Sequence, residues 1–243
     1  DRAVTEIGLP AVVKTRRFGY DGRGQAVLRS SADVDAAWVE LGGQALILEG
    51  FVPFDREVSL IAVRSRDGEI RSWPATENVH EGGILHISRA PAPDVSDDLR
   101  AQAASGLEAI MNRLDYVGVL VVEFFQIGGR LVANEMACRV HNSGHWTIEG
   151  APTSQFENHM RAVAGLPLGV TDTEGFAAMV NLVSDVPSMT ALEGRDGISL
   201  HVYGKSAAPG RKLGHVTVVA PSREVLEARI AEVLGVVGDR SAR

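Results

Sequence analysis

Two glutamates sit inside apolar, strand-like runs: Glu123 in VVEFF, and Glu135, preceded by Asn134, in VANEMA. A carboxylate among apolar neighbours is costly unless it is paired or bound to a cation. Two carboxylates and an amide oxygen are a donor set that magnesium accepts, with phosphate oxygens completing its shell. Gly128-Gly129 between the runs predicts a hairpin, and its register decides whether the carboxylates meet. A two-residue turn pairs Glu123 with Asn134 and sends Glu135 to the opposite face. A three-residue loop that includes Arg130 puts Glu123 across from Glu135. The second arrangement suits a shared cation; in the first, one glutamate simply faces solvent.

Immediately downstream, RVHNSGHW (139–146) crowds Arg139, His141, Asn142, Ser143 and His145 into one glycine-containing loop. Cys138, His141 and His145 do not make a zinc spacing, so these donors read better as an anion or substrate site. Near the start, RFGYDGRGQ (17–25) sets Gly19, Gly22 and Gly24 among Tyr20, Asp21, Arg23 and Gln25, with Lys14, Arg16 and Arg17 close by. Glycines let a backbone approach a ligand, and its N–H groups can then cradle phosphate. The pattern matches neither standard phosphate-loop signature, and a plain hairpin loop with exposed arginines explains it as well. A fourth cluster, YGKSAAPGRKLGH (203–215), brings together Lys205, Arg211 and Lys212, fit for a phosphate monoester or for an exposed basic turn.

These residues need strands and loops to position them. Alternation and turn signals predict strands at 11–15, 25–29, 45–52, 57–64, 70–75, 117–127, 131–136, 179–183, 198–203 and 215–220. Asp67-Gly68 marks one hairpin turn. Ser31 is the expected cap of a helix to about Leu41, with Val34, Trp38 and Leu41 on one apolar face at helical spacing. A second helix spans 96–114 on the stripe Leu99, Ala103, Leu107, Ile110, Met111 and Leu114, and a third spans 222–234. Hairpins with scattered helices indicate an α+β fold. At 243 residues and 45% hydrophobic, the chain can bury a large core in one or two domains. A formal charge of −7 argues against broad nucleic-acid binding. No apolar run reaches membrane-helix length. The single cysteine, Cys138, rules out an internal disulfide and suits a reducing compartment. The start lacks both an initiator methionine and a signal-peptide pattern, which reads as a cytoplasmic protein whose beginning is cut.

Taken in order, the stretches KTRRFGYDGRGQ, EGFVPFDREVSLIAVR, ENVHEGGILHISRAPA, VGVLVVEFF, NEMACRVHNSGHWTIEGAPTSQFENHMRAV and GRKLGH resemble the 5-(carboxyamino)imidazole ribonucleotide synthases of purine biosynthesis, an ATP-grasp family. The resemblance implies two α+β subdomains gripping ATP: 1–62 with a glycine-rich lid and 63–175 with the metal and substrate loop. A small β-rich C-terminal domain would follow at 176–243, while the family's N-terminal domain is absent from this chain. It implies that ATP phosphorylates bicarbonate and that the carboxyphosphate carboxylates the amine of 5-aminoimidazole ribonucleotide. Lys14 and the loop Gly19, Tyr20, Asp21, Gly22, Arg23, Gly24 and Gln25 would hold ATP phosphates. Glu49, Gly50, Phe51 and Val52 would meet adenine, Glu57 the ribose, and His80 the nucleotide side. Glu123, Asn134 and Glu135 would bind magnesium. Arg139, His141, Asn142, Ser143 and His145 would serve bicarbonate, carboxyphosphate and aminoimidazole, and Lys205, Arg211 and Lys212 the ribonucleotide phosphate. A homodimer is implied as well. Arg23 stands where the family more often has lysine, Cys138 where it has proline, and Ala208 where it has arginine. The alternatives are another ATP-grasp carboxylase or ligase, such as a biotin carboxylase relative, and a non-catalytic nucleotide-binding fragment lacking the N-terminal domain.

Overall fold

Short β-forming runs around the glycine loop make a three-stranded sheet. Its middle strand β1 (Ala11–Thr15) is antiparallel to β2 (Gln25–Leu28) and β3 (Leu46–Gly50). Helix α1 (Arg2–Ile7) precedes the sheet, and α2 (Asp33–Leu41) links β2 to β3. Val13, Leu28, Ala37 and Leu41 close a small core. The helix starts at Asp33, not after a Ser31 cap. The Asp33 carboxylate accepts from Arg29 N and Ser30 N, both at 2.8 Å, and so holds the preceding turn. Of the expected face, Leu41 is buried and Val34 packs beside it, but Trp38 is 64% exposed and Ala37 is buried in its place. The computed structural model describes residues 2–19, 22–173, 175–186, 188 and 192–238, so Tyr20 and Asp21 of the glycine loop lie outside the described residues.

The remaining strands are β4 (Arg56–Arg64), β5 (Ile70–Ser72), β6 (Thr76–Glu81), β7 (Ile84–Ala90), β8 (Gly118–Ile127), β9 (Arg130–Ala137), β10 (Phe176–Val183), β11 (Ile198–Val202) and β12 (Lys212–Ala220). They form one nine-stranded sheet in the order β11-β12-β10-β7-β6-β4-β8-β9, with β5 paired to the end of β4. Helices α3 (Asp97–Arg113), α4 (Thr147–Gly150), α5 (Gln155–Ala164) and α6 (Arg223–Val237) pack around it.

Period-2 alternation gives β4 two buried faces with different contents. Val58, Leu60 and Ala62 join Leu120 and Val122 of β8 under Leu99, Ala103, Leu107 and Met111 of α3. Burying Leu107 and Met111, at 1% and 0% exposure, contributes roughly 2–3 kcal/mol each. Ile61 and Val63 face the other way, with Val119, Val121, Trp73 and Trp146. In phase with them are Glu57 and Ser59 of β4 and Glu123 of β8, with Ser59 directly opposite Glu123. That face therefore turns from apolar to polar along its strands. A third core unites Val180, Leu182, Val216 and Val218 with Leu226, Ile230 and Val233 of α6.

The chain divides into two units: residues up to 53 with 82–84, and residues 54–81 with 85–243. The boundary expected at 62 falls at 53 because all of β4 belongs to the large sheet. At 175/176 the sheet continues, since β10 pairs with both β7 and β12. The strand expected through 75 stops at Ser72, and β6, β7 and α5 were not foreseen.

Candidate active site

The β8–β9 hairpin combines features of both registers considered from the sequence. The turn is the two-residue Gly128-Gly129, with Ile127 opposite Arg130. The ladder then shifts: Phe124 opposes Ala133 but Glu123 opposes Glu135, leaving Asn134 as an extra, bulged residue. A β-bulge of this kind re-aims the side chains beyond it, and here it brings the two carboxylates face to face. Glu123, only 12% exposed in its side chain, lies with Oε1 3.6 Å from His141 Nε2. One potential ligand atom each from Glu123, Glu135 and His141 lie within 4.8 Å of one another. Burial first, and then the charge of Glu135, push the Glu123 carboxyl up to about 7. Facing carboxylates strained in this way are a donor set suited to a hard divalent cation.

More charge borders the pair. His80 Nδ1 is 2.5 Å from Glu57 Oε2. Burial works against protonation of His80, but the hydrogen bond and charge of Glu57 outweigh it and raise its pKa. The charge of Lys212, the first residue of β12, acts on Glu123, His80, His141 and His145. Lys212 thus belongs with the carboxylates. Lys205 and Arg211 stand apart in an exposed loop. Lys205 Nζ sits 5.3 Å from the centre of the Tyr203 ring, and Arg211 Nη1 donates to Ser206 Oγ at 3.0 Å.

Loop 139–146 is held from below by residues the sequence reading missed. Gln155, fully buried at the start of α5, grips both backbone groups of His141. Its Oε1 accepts from His141 N at 2.9 Å, and its Nε2 donates to His141 O at 2.7 Å. Asn142 exchanges amide hydrogen bonds with Asn181 of β10 at 3.1 and 2.6 Å, and Asn181 also donates to Leu85 O at 2.7 Å. Ser143 is wholly buried and its Oγ lies 2.9 Å from His141 Nδ1. Arg139 is exposed, with Nη1 donating to Val140 O at 2.9 Å. His145 donates from Nδ1 to His141 O at 3.0 Å, which leaves Nε2 as its acceptor nitrogen. Asn181→Ala would orphan the buried Leu85 carbonyl and the half-buried Asn142 amide. It is expected to lower stability by about 2 kcal/mol, read as a fall in the urea midpoint; an unchanged midpoint would show that the amide pair contributes nothing.

Asn181, His215 and His201 lie in register on β10, β12 and β11. His201 stacks on His215 at 4.4 Å, and His145 meets His215 edge-on at 5.1 Å. The Tyr203 hydroxyl reaches His215 Nδ1 at 2.7 Å, and Glu149 Oε1 reaches His201 Nε2 at 2.7 Å. Burial pushes the pKa of His141 down to about 3, of His145 to about 4 and of His215 to about 3, with neighbouring positive groups adding to it. All three rings are neutral at pH 7. Cys138 is exposed.

In the first unit, Lys14 and Glu49 form an ion pair at 2.6 Å. Gln25 sits opposite Lys14 in β2. Gly24 has φ +75°, and a Cβ there would lie 2.6 Å from Thr15 Oγ1, so only glycine fits this corner. Phe18, at φ 65° and 91% exposed, stands on the outside of the same loop, whose Gly19, Gly22 and Arg23 follow it. Glu49 and Gly50 close β3, Phe51 N then donates to Pro10 O at 3.1 Å, and Val52 follows outside any strand.

Residues 1–156 match the ATP-grasp domain, and residues 177–229 match the phosphoribosylaminoimidazole carboxylase C-terminal domain. The chain is 55% identical over 233 residues to the N5-carboxyaminoimidazole ribonucleotide synthase of Pseudomonas aeruginosa, covering 96% of this chain and 64% of that protein. The crystal structure of N5-carboxyaminoimidazole ribonucleotide synthetase from Thermus thermophilus superposes with a TM-score of 0.91 at 52% identity, covering 98% of this chain and 64% of the other. The Aspergillus clavatus enzyme in complex with ADP and 5-aminoimidazole ribonucleotide gives 0.88 at 32% identity, covering 97% and 64%. The chain thus spans about 64% of the length of these relatives. Among the described residues, no helix is long and apolar enough to cross a membrane.

Proposed function

We propose, for a chain that belongs to the ATP-grasp family, that it carboxylates 5-aminoimidazole ribonucleotide at the expense of ATP in purine biosynthesis. A bicarbonate oxygen attacks the γ-phosphorus as the bond to ADP breaks, giving carboxyphosphate. The ribonucleotide amine then attacks the carboxyl carbon, loses a proton, and releases phosphate. The observation that carries this reading is the bulge that sets Glu123 against Glu135 beside loop 139–146.

Magnesium, held by Glu123 and Glu135 with Asn134 beside them, would neutralise charge on the phosphates when bound. The protein's own part is positioning and electrostatic complementarity, which dominate phosphoryl transfer. Lys14 would hold nucleotide phosphate oxygens, and Glu57 would accept from the ribose hydroxyls while His80 holds its carboxylate in place. Lys212 adds a fixed positive charge next to the carboxylates, where phosphate and bicarbonate oxygens would gather. Arg139, His141 and His145 supply donors and an acceptor for the carboxyl group and the amine, on a backbone fixed by Gln155 and Asn181. Lys205 and Arg211 would meet the ribonucleotide phosphate. A lone cysteine fits a cytoplasmic setting.

The test is ADP release by the purified chain with magnesium, ATP and bicarbonate, with and without the ribonucleotide. Stimulation by the ribonucleotide, with bicarbonate incorporated into product, is expected. Release that ignores the ribonucleotide would reject the carboxylation.

A further inference from the structure

We infer that Ser59, Asn78 and Ser88 are positioning residues: a buried hydrogen-bond relay that holds His141 as its Nε2–H tautomer, with that N–H turned to Glu123. Four links run in series. Ser88 Oγ donates to Asn78 Oδ1 at 2.9 Å, and Asn78 Nδ2 donates to Ser59 Oγ at 3.1 Å. Ser59 Oγ donates to Ser143 Oγ at 2.9 Å, and Ser143 Oγ meets His141 Nδ1 at 2.9 Å. Ser59, Ser88 and Ser143 are 0% exposed and Asn78 is 4% exposed, so bulk water cannot substitute for a lost partner.

Each hydroxyl has one proton to give. Ser59 receives from the Asn78 amide, so its proton goes to Ser143. Ser143 then gives its own proton to Nδ1, which must be the lone-pair nitrogen. Turning over the Asn78 amide would reverse every link and demand a proton on Nδ1. The Ser143 backbone N–H, 3.4 Å from Nδ1, is compatible only with the first direction. A mixed arrangement strands a buried donor, which disfavours it roughly tenfold or more. The proton therefore resides on Nε2, 3.6 Å from Glu123 Oε1.

A protonated Nε2 cannot ligate a cation. The Glu123–Glu135–His141 cluster thus resolves into two ligand carboxylates and one neutral donor, a division of labour that rests on the carboxylates' proposed role. Ser59, Asn78 and Ser88 touch neither nucleotide nor substrate in this scheme; they act through His141.

The test is nitrogen NMR of the full chain labelled with 15N-histidine, at neutral pH, with His141 assigned by its loss in His141→Gln. The expected spectrum shows a proton-bearing Nε2 and a bare Nδ1 in a ratio of about ten or more. A predominantly protonated Nδ1 would overturn the relay. Ser59→Ala, and separately Asn78→Ala, should each lower that ratio at least fivefold while the protein stays folded. An unchanged ratio in whichever variant folds would also overturn it. Because the ring is read without ligands, an Nε2–H tautomer in a chain that fails to turn over would reject the proposed reaction and leave the relay standing.

Discussion

Glu135→Gln is expected to cut ribonucleotide-stimulated ADP release about a thousandfold while making the unliganded protein more stable at pH 8. A cation that neutralises charge on a transferring phosphoryl group supplies several kcal/mol. About 4 kcal/mol of that corresponds to three powers of ten in rate. The stability gain comes from Glu123. Its folded pKa, about 7, lies above the ordinary 4.5 through burial and the opposing Glu135. Between those two values the folded state binds more protons than the unfolded one, so stability falls as pH rises through the window. Above pH 7 the loss is on the order of 3 kcal/mol, and removing the Glu135 charge recovers part of it. Magnesium-nucleotide should suppress the same loss in the unsubstituted protein and not in the variant. Steady-state ADP release and urea unfolding at pH 8 read both effects. Retained turnover would remove Glu135 from the chemistry, and an inactive variant of lower stability would point to misfolding.

The second large effect is acid lability. His141, His145 and His215 fold as neutral rings, with pKa values of about 3, 4 and 3 against 6.5 ordinarily. Below pH 6.5 the unfolded chain takes up protons that the folded chain refuses. The stability these rings allow is complete above 6.5 and drains away as pH falls towards 3. By pH 4 each ring has cost about 3 kcal/mol, roughly 10 in all. Protonation of Glu123 runs the other way and returns about 3 kcal/mol. A net loss of roughly 7 kcal/mol is comparable with the whole stability of an ordinary domain. Unfolding by acid alone is therefore expected between about pH 5 and 4, followed by circular dichroism, with the urea midpoint declining from pH 6.5 downward. A midpoint that stays flat from pH 7 to 4.5 would contradict neutral burial of these rings. His215→Gln should remove about a third of the slope.

Sequence was informative where burial and hydrophobicity coincide. Leu99, Ala103, Leu107 and Met111 repeat at helical spacing and are the residues that α3 buries. It was silent where they part. The inward positions of α5 are Gln155, Asn158 and Ala162, while Phe156 and Met160 point outward, so the stripe that would announce the helix is inverted. In β6 the buried residues are Thr76 and Asn78, which reads as a polar loop. Their inward polar groups hold loops and neighbouring strands: Gln155 grips His141, Thr76 accepts from Trp146 Nε1, Asn158 holds Gly169, and Asn78 bonds Ser59 and Ser88. Glu123, Glu135 and His141 were legible as chemistry from their residue types. Gln155, Asn181 and Ser59 were not, since each acts by gripping another residue 14, 39 and 84 positions away along the chain. The bulge was equally hidden, because counting residues cannot show which one leaves the ladder.

Parity governs the hairpin that carries the carboxylates. With a two-residue turn and no irregularity, Glu123 would face position 134; the surplus residue moves Glu135 into that place. A homologue with a gap at Asn134 would keep the carboxylates opposed on a straight ribbon. A gap within 124–127 would instead swing them to opposite sides of the sheet. The effect of an insertion or deletion on the site therefore depends on whether it falls at the bulge or between the bulge and the turn.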